Sequence, residues 1–149
     1  MFIEGQILFF QPFYFKNGDT PQDKFFIILK NVGNDSIVAS LPTSKNNAPS
    51  LIDISHGCKN INERKFNCYV FERKRCICDN GFSFDLQTYV YGNQVDNFTA
   101  KSISLNSPSS QGIKYSVKGQ LNNNEFNDLK KCIVSSNSII NRIKKLLQD

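Results

Sequence analysis

The chain has 149 residues, a formal net charge of +5 and a pI near 9.0, with 40% hydrophobic and 21% charged residues. Its length suits one domain and leaves little room for two, and its composition excludes a disordered chain. No run of about 18 apolar residues occurs, which excludes a membrane-spanning helix.

Thirteen Phe and five Tyr stand against one Met and no Trp. Aromatic side chains fill pleated, half-buried surfaces, so this balance leans toward β structure. The positive excess suits nucleic acid or another anionic partner, and suits a solvated lysine-rich surface equally well. Residues 1–15 are apolar but lack a basic leading segment and a small-residue cleavage site, so they do not read as a secretory signal. With an odd number of cysteines, five, the expectation is reduced thiols in a cytoplasm.

In chain order, residues 2–10 are predicted to form the first strand, with Gly5 at a bulge or a close approach. Residues 16–23 (KNGDTPQD) form a polar loop punctuated by Asn17-Gly18 and Thr20-Pro21. Residues 25–29 (FFIIL) are continuously apolar, the pattern of a strand buried on both faces. A turn at 31–35 leads to a third strand at 36–41, which Pro42 ends; the two strands form a hairpin. Further strands are predicted at 51–55, 67–71 and 84–91. Six or so short strands with turn-rich connections fit a small barrel or a curled antiparallel sheet. Residues 101–112, rich in Ser and Pro, read as a loop.

Near residue 122 the period changes. Phe126, Leu129, Ile133, Ile140, Ile143 and Leu147 recur at helical spacing on one face. Asn122 and Glu125 resemble a capping box at the helix start, and Lys144 and Lys145 suit the negative end of the helix dipole. The Ser-rich stretch 135–138 predicts a kink or break. The expected fold class is therefore α+β, a small antiparallel sheet with a C-terminal amphipathic helix.

Glycine-rich phosphate loops, a dinucleotide fingerprint and a nucleophile elbow are all missing from the sequence. His56, Cys58, Cys68, Cys76 and Cys78 invite comparison with a zinc site. The pairs His56/Cys58 and Cys76/Cys78 are each separated by one residue, fewer than structural zinc usually uses. The expectation is no metal and no cofactor, with several cysteines buried as small hydrophobes. Residues 64–75 interleave aromatics with bases. Such a strand can track a phosphate backbone or simply present a solvated outer face.

The first 45 residues carry the strongest functional pattern. A strand opens with Gly5-Gln6-Ile7, a polar loop follows, and Lys24 immediately precedes the FFIIL strand. The hairpin partner of that strand ends in Leu41-Pro42-Thr43-Ser44-Lys45. A base beside a hydroxyl at the mouth of a loop suits a phosphate. This order resembles the MazF/PemK family of toxin ribonucleases. In that family a Gly-Asp-(Ile/Val) strand is followed by a flexible loop, an Arg-Pro opening an apolar strand, a strand ending in Thr or Ser, and a C-terminal helix. Here Gln6 stands in place of Asp and Lys24-Phe25 in place of Arg-Pro.

The resemblance implies an SH3-like barrel spanning residues 1–149 as one domain, with insertions around 56–85 and 100–118. It implies a cytoplasmic toxin of a toxin–antitoxin pair that cleaves single-stranded RNA without metal through attack by the 2′-hydroxyl. Lys24 would stabilise the phosphate and Thr43 or Ser44 would position it, while Lys16, Asn17 and Lys45 would contact RNA. The implied partners are RNA, an antitoxin and a second copy of the chain. His56 could supply an acid or base, although a lone histidine is more often structural. The alternative is a module without catalysis, as in the related CcdB or another SH3-like barrel, acting on a protein or nucleic acid.

Overall fold

In a computed structural model that describes residues 2–13, 20, 22–41, 55–61, 66–99 and 115–148, the apolar runs among those residues fold as eight strands in two antiparallel sheets, followed by two α-helices. The strands are β1 (Gln6–Phe13), β2 (Gln22–Val32), β3 (Asp35–Ser40), β4 (Gly57–Ile61), β5 (Phe66–Phe71), β6 (Thr88–Tyr91), β7 (Val95–Thr99) and β8 (Tyr115–Gln120). The helices are α1 (Asn123–Val134) and α2 (Asn141–Gln148). The larger sheet has the order β7-β3-β2-β1-β8 and the smaller β4-β5-β6. The α+β expectation holds.

Strands β2 and β3 form the predicted hairpin, and β1 pairs with β2 to extend it into a meander. Ile7 lies opposite Ile27 and Phe10 opposite Lys24, and Phe26 lies opposite Ser40. Alternate residues point to opposite faces, and β2 is apolar on both. Ile27 and Leu29 enter the main core, while Phe26 and Ile28 join a second buried cluster with Leu8, Phe10, Phe13 and Val38. Gly5, expected at a bulge or a close approach, lies just before β1, where a Cβ would meet Gln120 and Phe126 at the ordinary distances of 3.5 and 3.7 Å, so it is the backbone conformation that calls for glycine. Its φ is +88°. Its N–H donates to the Ile28 carbonyl at 2.7 Å and its carbonyl accepts from Leu121 at 2.9 Å.

Other strands differ from expectation. Residues 84–87 run irregularly, and the strand there covers only Thr88–Tyr91. Residues 51–54 lie outside the described residues, and Ser55 is not in a strand. Strands β4, β7 and β8 were not foreseen. The segments expected as insertions supply β4, β5 and part of β8, and Tyr69, Phe71, Ile77 and Phe84 from the first of them are buried in the main core.

The C-terminal helix is broken where the serines predict. Ser136 is buried, its Oγ 2.7 Å from that of Ser138, and its hydroxyl accepts the Ser138 N–H at 3.1 Å. Hydroxyls that compete for backbone groups end a helix in this way. The break shifts the register. Leu129, Ile133, Ile143 and Leu147 are buried as expected, but Ile140 is 55% exposed and Ile139 takes the inward place. No helix among the described residues is long and apolar enough to cross a membrane.

One cysteine expectation is corrected. Cys58 on β4 and Cys132 on α1 form a disulfide across a sequence separation of 74, their Cα atoms 5.5 Å apart. Cys68, Cys76 and Cys78 are free. Contact between β4 and α1 is a product of the tertiary fold, which cysteine spacing does not encode.

Candidate functional site

Of the sequence-predicted site residues, Lys24 falls among the described residues. Lys16, Asn17, Thr43, Ser44 and Lys45 lie outside them. Lys24 is the third residue of β2 and is half-buried. Cross-strand partners share a face, so Lys24 stands with Phe10 on the side of the second apolar cluster. Burial there lowers its pKa, because desolvation penalises the ammonium.

The neighbourhood of Lys24 brings in a hydroxyl that sequence reasoning missed. Ser40 lies opposite Phe26 and so faces the same side as Lys24, one pair along. Its Oγ donates to Gln94 Oε1 at 3.5 Å. The Leu41 N–H donates to the carbonyl of Phe25 at 3.0 Å. The chain thus passes beside the neighbour of Lys24 two residues before Thr43.

A second polar cluster lies on the other side of the large sheet, between the small sheet and α1. Asn122 caps α1, its Oδ1 accepting the Glu125 N–H at 2.9 Å. The reciprocal half of the capping box does not form. The Asn122 N–H donates instead to the Ile77 carbonyl at 3.0 Å, and the Glu125 side chain turns inward. His56 Nε2 lies 2.8 and 2.9 Å from its two oxygens, and the Tyr69 hydroxyl also donates to it.

On the other side of the imidazole, Nδ1 accepts the Glu72 N–H at 3.2 Å. That bond puts the proton on Nε2, which donates to the carboxylate. Burial pushes the Tyr69 phenol well above its ordinary range, and the bond to Glu125 adds to the effect. Both ring nitrogens of His56 are therefore engaged. The cluster fastens α1 to β5 and presents no free imidazole lone pair. This agrees with the structural role for His56. Glu125 and Tyr69 escaped sequence reasoning because their partners lie 69 and 56 positions away.

The cysteines considered for zinc are dispersed. Cys58 is in the disulfide, Cys76 Sγ donates to the Gly81 carbonyl at 3.5 Å, and Cys78 is buried in the main core. Burial pushes the Cys78 thiol up to about 12, with Asp79 and Glu125 adding to the effect. It pushes that of Cys68 up to about 11 against the opposing charge of Lys59. Among the described residues, no group of three His, Cys, Asp or Glu side chains converges as a metal site. Comparison of the chain with protein-family models, with curated proteins and with solved structures found no match.

Proposed function

We propose that the chain is a metal-independent endoribonuclease of the MazF/PemK kind, the cytoplasmic toxin of a toxin–antitoxin pair, built on an SH3-like barrel and active as a homodimer. The observation that carries this reading is the setting of Lys24. It is a half-buried lysine at the opening of β2, with the exit of β3 hydrogen-bonded to its neighbour Phe25. A partly desolvated cation interacts with a phosphate more strongly than one in open water.

In the reaction, the 2′-oxygen of single-stranded RNA attacks the adjacent phosphorus as it loses its proton. The bond from phosphorus to the 5′-oxygen breaks, that oxygen gains a proton, and a cyclic phosphate remains. Lys24 holds the negative charge that develops on the non-bridging oxygens. Thr43 or Ser44 positions the phosphate, and Lys16, Asn17 and Lys45 grip the flanking strand. Lysine acts here as a point charge, without the bidentate fork of arginine. His56 has no part, because both its nitrogens are engaged on the other side of the large sheet.

That commitment of His56 also favours a second reading, a binding module without catalysis. Purified protein incubated with labelled single-stranded RNA in EDTA separates the two. The ribonuclease leaves cyclic phosphate ends, and Lys24→Ala slows it by about 100–1000-fold, while Lys24→Arg keeps or raises the rate. Undiminished cleavage by Lys24→Ala would reject the scheme. RNA binding without any cleavage would establish the module.

A further inference from the structure

We propose that Phe9, Phe25 and Phe82 form a stacking platform for the bases of single-stranded RNA, with Lys118 at its edge. This rests on the reading of RNA as the ligand and adds where its bases go. Phe9 and Phe25 are cross-strand partners on β1 and β2. Their ring centroids are 4.5 Å apart. Phe82 lies 6.4 Å from Phe25. Beneath both, Phe84 meets Phe25 and Phe82 edge to face, at 5.2 Å from each.

Phe84 is buried, whereas Phe9, Phe25 and Phe82 are each partly in water. Single exposed apolar side chains are ordinary. Three contiguous, part-exposed rings over a buried fourth, with a lysine ammonium over one of them, make an aromatic surface of the kind single-strand binders use.

The platform is braced by hydrogen bonds and flanked by cations. Phe82 donates its N–H to Asn80 Oδ1 at 3.1 Å, and Asn80 Nδ2 donates to the Lys118 carbonyl at 3.0 Å. Gly119 lets the two segments meet, since a Cβ there would fall 2.7 Å from Asn80 Oδ1 and 2.9 Å from Cys78 Sγ. Lys118 Nζ lies 5.4 Å from the centre of the Phe9 ring. On the far side the exposed turn of Arg73, Lys74 and Arg75 is tied to the platform floor, the Lys74 N–H donating to the Phe84 carbonyl at 2.6 Å. Glu72, Asp79 and Asp85 share that loop, so recognition depends on stacking more than on charge. Stacking accepts every base, which predicts weak sequence preference at these positions.

Fluorescence anisotropy with a labelled 2′-O-methyl oligoribonucleotide, which cannot be cleaved, tests the platform. Phe9→Leu and Phe82→Leu should each weaken binding by about tenfold, and Phe82→Tyr, which keeps a π-face, should bind like the parent. An abasic strand of equal length should bind weakly and equally to all. Lys118→Ala should lower the salt dependence by about one phosphate contact. Leucine variants that melt like the parent and bind RNA undiminished would overturn the platform. A polyglutamate peptide that displaces RNA and binds more tightly, with the same ring dependence, would also overturn it by making the surface a protein-docking site. Cleavage of unmodified RNA, followed in parallel, keeps the two readings apart. Ring-dependent binding without cleavage retains the platform and removes the ribonuclease. Cleavage with ring-independent binding does the reverse.

Discussion

Glu125 shows how one side chain serves two levels of structure. Its backbone N–H completes the cap of α1, and its carboxylate receives His56 and Tyr69. A carboxylate in the first turn of a helix is also favoured by the helix dipole. Removing it strands a part-buried imidazole N–H and a buried phenol, so Glu125→Ala should cost about 3 kcal/mol in urea unfolding. Tyr69→Phe leaves the carboxylate with His56 and should cost about 1 kcal/mol. Equal losses would show that the Tyr69 bond dominates. The thiols predict a pH effect. Unfolded Cys78 loses its proton from its usual 9.0, whereas the folded thiol keeps it to about 12. Proton loss thus favours the unfolded chain, and stability falls between pH 9 and 12. Cys68 acts in the same direction up to about 11. Each group contributes a slope of at most about 1.4 kcal/mol per pH unit. The urea midpoint should fall from pH 8 to pH 10.5, and less so in Cys78→Ala; an unchanged slope in that variant would refute the assignment. The cap at Asn122 was legible in the sequence because it is local. The triad was not, because its members meet only after the small sheet and α1 come together.

At the scale of elements, legibility followed the hydrophobic pattern. The strand at β2 was readable because five consecutive apolar residues leave no polar face. The break between α1 and α2 was readable from four polar residues, Ser135 to Ser138. Strand β8 was not readable, since Ser116 and Val117 are both exposed at the sheet margin and Gly119 weakens the pattern. Strand β4 has two polar residues among its five and borrows its order from β5 and α1. Its tie to α1 includes the Cys58–Cys132 disulfide and Asn60 Nδ2, which donates to Ser135 Oγ at 2.9 Å. A cross-link closing 74 residues restricts the unfolded chain strongly, and its loss typically costs about 2–4 kcal/mol. Adding dithiothreitol, or Cys58→Ser, should lower the urea midpoint accordingly. In non-reducing denaturant, thiol labelling should find three groups, and in the native state Cys76, the exposed one of the three. Five labelled groups without reductant would show that the bond is not formed in solution.

Across the whole molecule, the aromatic contacts run without interruption from the rim to the interior. Phe9 meets Phe25, Phe25 meets Phe84, Phe84 meets Phe71, Phe71 meets Tyr69, and Tyr69 meets His56. The rim at Phe9 and Phe25 and the lock at Glu125 therefore belong to one contiguous cluster, and Lys24 leaves from the opposite side of β2. This separation makes a test in cells informative. Expressed in a bacterial host, the chain should slow growth and fragment messenger RNA. Lys24→Ala should abolish both while the protein accumulates folded, because a half-exposed lysine at a strand end contributes little to stability. Glu125→Gln should lower the amount of folded protein and leave activity per folded molecule unchanged, since the lock and Lys24 lie on opposite sides of β2. Trapping thiols at harvest will report the state of Cys58 and Cys132, because a cytoplasm keeps most thiols reduced. Toxicity with the pair reduced shows that the fold works without its cross-link. Toxicity that persists in Lys24→Ala, or a loss of activity per folded molecule in Glu125→Gln, would move the chemistry from the β2 opening to the interior cluster.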